Sequence, residues 1–179
     1  MSRIGKIPVV VPKEVKITIN AGGVNLQGPA GKLDLSIPRG IKVEMKENQL
    51  IVSRSSDLKQ DKANHGTIRA RLANMVIGVT KGHKKELELQ GVGFKALLQG
   101  TKLVFSLGLS HPVEFEVPEG LKVAVGNNNL ISIEGPDSCL VGQIAANIRD
   151  LKPVEPYKGK GFRYVGEYVR KKQGKSVTK

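Results

Sequence analysis

The sequence predicts an α+β chain of two tandem similar domains, each an antiparallel sheet packed against one helix, followed by a basic C-terminal tail. Three observations carry this. Short runs alternate apolar with polar residues, the mark of strands with one wet face. Each set of runs gives way to a single apolar stripe at helical spacing. The whole order of events then occurs a second time, about 80 residues later.

In the first copy, Val15, Ile17 and Ile19 alternate with Lys16, Thr18 and Asn20. Leu33, Leu35 and Ile37 do the same, as do Ile41, Val43 and Met45. Gly22-Gly23, Gly28-Pro29 and Pro38-Arg39-Gly40 punctuate these runs as turns. Ile68, Leu72, Met75, Val76 and Val79 then share one helical face, which Arg69 and Arg71 lie off, and Gly82 ends the helix.

The second copy repeats the scheme. Leu87 and Leu89 alternate with glutamates, and Phe94–Leu98, Leu103–Leu107 and the run Val113, Phe115, Val117 follow. Asn127-Asn128-Asn129 marks a turn between two further strands. Ser138 is placed to cap a helix bearing Val141, Ile144, Ala145 and Ile148. Pro153 and Pro156 stop regular structure, so the tail is expected to be irregular or a short helix.

The repeat can be read residue by residue. Pro38-Arg39-Gly40-Ile41-Lys42-Val43 matches Pro118-Glu119-Gly120-Leu121-Lys122-Val123, and Asp57 matches Asp137, at an offset of 80. Gly66 and Ile68 match Gly142 and Ile144 at an offset of 76. Four residues are therefore missing from the second copy, expected in the loop between its last strand and its helix. The expected divisions are residues 1–82, residues 83–152 and a tail at 153–179.

Charge sharpens the picture. The formal net charge is +13. Residues 1–82 carry 14 Lys and Arg against 6 Asp and Glu, residues 83–151 carry 6 against 8, and residues 152–179 carry 9 against 2. Basic ends around a mildly acidic middle suggest contact surfaces for a polyanion. The single cysteine, Cys139, leaves no internal disulfide and is expected to be a small buried residue. No apolar run reaches the length of a bilayer span and the N-terminus lacks a signal-peptide core, so a cytoplasmic protein is expected.

Enzymatic constellations are missing. His65, His83 and His111 lack metal-ligand spacing with one another or with Cys139, and no cofactor or metal is expected. His65 reads first as a surface histidine, with a helix-capping or ligand-contacting role as the alternative. No Gly-x-Ser-x-Gly turn and no Gly-x4-Gly-Lys-Ser/Thr loop occurs. Gly91-Val92-Gly93 leads into Phe94 rather than a helix and reads as a bulge or a close backbone approach. Glu114 and Glu116 share the solvated face of one strand.

The tail carries the clearest functional chemistry. In Tyr157-Lys158-Gly159-Lys160-Gly161-Phe162-Arg163-Tyr164, glycines let backbone N–H groups approach an anion while the lysines supply charge. Arg163 offers a planar fork for a phosphate or a base. Tyr157, Phe162 and Tyr164 are suited either to stack on unpaired bases or to pack back onto the second domain. Arg170-Lys171-Lys172 and Lys175 extend the cationic strip. The tail lacks the amphipathic helix or lipid anchor a membrane needs, and the chain lacks the signatures of DNA-binding motifs. Structured RNA is the expected partner.

These motifs, in this order, resemble large-subunit ribosomal protein six of bacterial type across essentially the whole chain. The resemblance rests on Ser2-Arg3-Ile4-Gly5-Lys6, Asn64-His65-Gly66-Thr67-x-Arg69-Ala70, Gly91-Val92-Gly93-Phe94-Lys95-Ala96, Ser110-His111-Pro112-Val113 and Tyr157-Lys158-Gly159-Lys160-Gly161 with Arg163-Tyr164. Phe162 departs from it, since the family usually has an aliphatic residue there. The resemblance implies a structural, non-catalytic protein of two duplicated domains, in the ribosome. Its implied partners are large-subunit ribosomal RNA near the stalk base and sarcin–ricin loop, and neighbouring ribosomal proteins. It implies a main RNA contact through Lys158, Lys160 and Arg163, with Lys95 and His65 as secondary contacts. A binding adaptor outside the ribosome, for RNA or protein, is the alternative function.

Overall fold

The structure, a computed structural model, describes residues 4–20 and 22–175, without the side chain of Asn128. Ser2 and Arg3 of the N-terminal motif, and the last four positions of the tail, lie outside the described residues. The chain divides into two compact units, one running to His83 and taking in Pro136–Ser138, the other holding Lys84–Gly135 and the chain from Cys139.

The first unit has two three-stranded sheets and one helix. Strands β2 (Lys16–Asn20), β3 (Gly23–Gly28) and β4 (Gly31–Ser36) form an antiparallel meander. Strands β5 (Ile41–Lys46) and β6 (Gln49–Arg54) form a hairpin, and the short β1 (Val9–Val10) pairs with β6. Alternation sets the register: Val24 lies opposite Leu35 and Leu26 opposite Leu33, so one face of the meander is apolar. Helix α1 (Lys59–Thr80) covers that face and the hairpin with Ile68, Leu72, Met75, Val76 and Val79, which join Leu26, Leu50 and Val52 in one core. Gly82 follows the helix at φ +77°, a left-handed turn that suits glycine.

The second unit repeats this plan. Strands β8 (Lys95–Gln99), β9 (Lys102–Ser106) and β10 (Val113–Glu116) make the meander. Strands β11 (Lys122–Val125) and β12 (Leu130–Gly135) form the hairpin, and β7 (His83–Gln90) takes the place that β1 has in the first unit. Helix α2 (Ser138–Leu151) packs Val141, Ile144, Ala145 and Ile148 onto Leu87, Phe105 and Ile133. Each unit thus carries two sheets, where the strand pattern predicted one.

The four missing residues fall elsewhere than expected. Between the two matched positions that bracket the deletion, Asp57 and Gly66, the first unit is helical from Lys59. The deletion therefore removes roughly one turn of helix rather than loop, and a four-residue change slips the helical face by only about 40°. The apolar stripe lies C-terminal to the deletion and keeps its spacing. Cys139 also differs from expectation: it lies in the first turn of α2, which starts at Ser138 itself, and is exposed.

His65 is buried rather than on the surface. Its ring is 4% exposed within α1, with Nε2 2.9 Å from the Val52 carbonyl and Nδ1 3.4 Å from an Arg54 guanidinium nitrogen. A Cβ on Gly5 would stand 2.5 Å from the ring, so the N-terminal segment crosses it closely. The imidazole ties α1 to β6. It is a packing group rather than the surface histidine expected.

A further strand, β13 (Gly161–Tyr164), adds to the outer edge of β7, giving a four-stranded sheet in the order β11-β12-β7-β13. Among the described residues the first unit has no such strand. There, Arg69 donates from Nε to the Ile7 carbonyl at 3.0 Å and from a terminal nitrogen to the Pro8 carbonyl at 3.4 Å. Ile7 and Pro8 correspond at the offset of 80 to Leu87 and Glu88, the residues β13 pairs with through Tyr164 and Arg163. A side chain satisfies in one unit the backbone that a strand satisfies in the other.

Candidate nucleic-acid interface

The tail is built into the second unit through a strand, where the proline pattern predicted irregular chain or a short helix. Phe162 pairs with Leu89 in β7 and is fully buried, its ring edge-on to Phe105 at 5.2 Å between centroids. Burying a phenyl group contributes about 1.5–3 kcal/mol of transfer free energy, which adds to the strand's hydrogen bonds in holding it in place. The two readings of this ring are thereby resolved in favour of packing. Phe162 is a core residue of the second unit.

Gly161 is required by the same seat. Its φ is +136°, and an added Cβ would lie 2.7 Å from both the Lys152 and Pro153 carbonyl oxygens. The Phe162 N–H donates to the Lys152 carbonyl at 2.9 Å, and Pro153 bridges Phe162 in parallel. The segment leaving α2 is therefore pinned against the start of β13.

Between these two points the chain forms a tight cationic loop. The Glu155 N–H donates to the Lys160 carbonyl at 2.8 Å, and the Gly159 N–H to the Glu155 carbonyl at 2.9 Å. Gly159 has φ +70°, which the reversal needs. Lys158 is exposed, Lys160 half-buried and Tyr157 55% exposed.

After β13 the chain turns back. The Glu167 N–H donates to the Tyr164 carbonyl at 3.0 Å, and the Tyr164 N–H donates to a Glu167 carboxylate oxygen at 3.0 Å. Arg149 of α2 bonds to Glu167 and stacks over the Tyr164 ring, 5.4 Å from its centroid. Lys85 lies 5.8 Å from the same centroid on its ammonium nitrogen. Tyr164 is thus a half-buried anchor, and Tyr157 and Tyr168 are the exposed aromatic rings of the tail. The Lys172 N–H donates to the Pro156 carbonyl at 2.9 Å, which brings Lys171 and Lys172 beside the Tyr157–Gly159 stretch.

Electrostatics separates spent cations from unspent ones. Lys102 bonds Glu116 at 2.9 Å and lies 3.6 Å from Glu114; the Glu116 hydrogen bond, then both carboxylate charges, hold its pKa above the ordinary lysine value. Lys84 is held up in the same way by Glu86 and Glu134. Asp57 is held below the usual carboxylate range by the Arg54 hydrogen bond. By contrast, among the described residues no carboxylate lies within 4.0 Å of Lys158, Lys160, Arg170, Lys171, Lys172 or Lys175. Glu155 is the one acidic residue of the loop.

Arg163 belongs with the spent group. Its Nε and a terminal nitrogen reach Glu88 at 3.0 and 2.7 Å across the β13–β7 pair. The sequence reading left this arginine no structural role; the structure supplies one. Such a half-exposed pair is worth about 1 kcal/mol or less. Glu88→Ala should therefore lower the melting temperature by only a few degrees and leave nucleic-acid affinity intact or raised, since it releases a cation. Calorimetry alongside filter binding checks this; a fall in affinity would contradict it.

Lys95, the exposed first residue of β8, follows the β7–β8 loop, which leaves its sheet at the same end as the cationic loop because Gly161 pairs with Gln90, the last residue of β7. The residues that hold the site together, Phe162 and Lys152, were the ones sequence reasoning undervalued. The period-two pair Phe162 and Tyr164 was the available signal.

Comparison with known proteins agrees with this architecture. The family model described as Ribosomal protein L6 matches twice, at residues 11–82 and 90–165, one match for each unit. The chain is 48% identical over 179 residues to the large ribosomal subunit protein uL6 of Methylacidiphilum infernorum, covering 100% of both chains. It is 49% identical over 180 residues to that of Dictyoglomus turgidum, again with full coverage of both. It is 50% identical over 179 residues to the uL6c protein of Guillardia theta, covering all of each. With both repeats matched and full-length relatives at about half identity, the chain belongs to the ribosomal protein L6 family.

Proposed function

We propose that the chain is a non-catalytic component of the large ribosomal subunit that binds ribosomal RNA through the loop at 157–161 and the returning strip of Arg170, Lys171, Lys172 and Lys175. Lys95 extends this contact on the same end of the second unit. The observation that carries the reading is the group of cations that have no carboxylate partner among the described residues, mounted on a loop that β13 fixes to the core. Unpaired surface charge of one sign on a preorganised loop is an electrostatic footprint for a polyanion. The family membership and the names of the relatives support the ribosome as the place where it acts.

The seat we propose is near the base of the stalk that recruits translational GTPases, close to the sarcin–ricin loop, with ribosomal proteins as neighbours. Hydroxyl-radical footprinting of large particles assembled with and without the protein tests this. Protection of the stalk-base RNA and the sarcin–ricin loop is expected. Incorporation with protections only elsewhere would overturn the location, and failure to incorporate would overturn the whole reading.

A further inference from the structure

The loop joining β7 to β8 presents an apolar group that the fold does not use. Val92 is 91% exposed at its tip. The loop is nevertheless held firmly. The Phe94 N–H donates to the Gly91 carbonyl at 3.2 Å. Gly91, at φ +154°, leaves space that a Cβ would take from the Phe94 ring, 2.4 Å away. Asn129, itself in the left-handed region at φ +55°, donates from Nδ2 to the Phe94 carbonyl at 3.0 Å and accepts from the Ala96 N–H at 3.2 Å. A left-handed asparagine, two glycines and a side-chain clamp thus fix a tip that contributes no buried area. A loop held by these hydrogen bonds while it keeps an apolar side chain in solvent points to recognition.

Its position says of what. Gly161 lies opposite Gln90, so the Val92 loop and the Lys158–Lys160 loop emerge at one end of the same sheet, followed on one side by exposed Lys95. The carboxylates of the adjoining strands are engaged: Glu88 by Arg163 and Glu86 by Lys84. We propose that Val92 is a second contact element of the RNA interface, pressing its methyl groups onto the sugar edges of the shallow minor groove while the lysines hold the flanking phosphates. The A-form minor groove is wide, and its floor offers ribose C–H surface that a small rigid tip can reach. Gly91 and Gly93 keep both shoulders of the tip free of side chains, which permits that depth of approach. This inference rests on the RNA reading above.

The test uses the full chain and large particles lacking this protein. Val92→Asp is expected to weaken binding roughly tenfold or more by placing a carboxylate among phosphates, and Val92→Lys to keep binding within roughly threefold of the parent, since its stem covers the same surface and its charge suits the partner. Melting temperatures should not move, because the side chain is outside the core. If both variants weaken binding equally, the partner is an apolar protein surface and the RNA assignment is wrong. A second readout distinguishes the two levels of the account. On a Cys139→Ser background, a cleavage reagent tethered through Val92→Cys should cut ribosomal RNA, as should one at Lys158→Cys. Cuts from 158 without cuts from 92 overturn this inference and leave the RNA reading standing. Cuts from neither overturn both.

Discussion

Replacing Phe162 by alanine is expected to destabilise the second unit by about 3–5 kcal/mol, the range for removing a buried aromatic ring. For a unit of this size that corresponds to a fall of more than roughly 10 °C in melting temperature. The ring is fully buried in the apolar cluster of the second unit, edge-on to Phe105 of β9. Affinity for RNA should fall with stability, although position 162 touches no partner. The reason is mechanical: the cationic loop hangs between the end of α2 and the start of β13, and the Phe162 N–H holds Lys152. Phe162→Leu, which restores an aliphatic side chain, should recover most of both losses. Differential scanning calorimetry with binding to purified large-subunit RNA checks this. A stable alanine variant would mean that the loop stands without its strand.

The second large effect is on affinity alone. Changing Lys158, Lys160, Lys171 and Lys172 together to alanine should weaken RNA binding by roughly two to three powers of ten at about 0.1 M salt, if each lysine neutralises a phosphate. The melting temperature should hold or rise slightly, because none of the four has a carboxylate partner to lose among the described residues and removing like charges relieves repulsion. The two variants thus dissociate in opposite ways: Phe162→Ala loses fold and grip together, the lysine variant loses only grip. Filter binding at fixed salt, with thermal melts in the same buffer, separates them.

Much of the fold was legible in the sequence because its determinants are local. Alternation along β2, β4 and β5 and the stripe on α1 are patterns within short windows, their recurrence 80 residues on shows the duplication, and the structure returns them as strands, helix and repeated units. What was not legible depends on distant partners. β13 is four residues of a glycine-rich basic stretch, and it becomes a strand only because β7, some 75 positions earlier, leaves an edge open. Arg163 looked unoccupied for the same reason, since Glu88 is invisible from its neighbourhood. His65 is buried by Gly5 and the Val52 carbonyl, neither of which is near it in the chain. The deletion in the second repeat was assigned to a loop because loops tolerate deletions, yet a helix tolerates a whole turn equally well. The tail lysines Lys158, Lys160, Lys171, Lys172 and Lys175 were legible because, among the described residues, no distant carboxylate pairs with them.

The measurement that bears most directly on the phosphate grip is the salt dependence of binding to large-subunit RNA for the parent chain and the four-lysine variant. Counterion release at four phosphates predicts that the slope of log affinity against log salt is shallower in the variant by roughly three to four. Equal slopes, with both proteins folded, would show that these lysines do not touch the RNA backbone and that the grip lies on another surface.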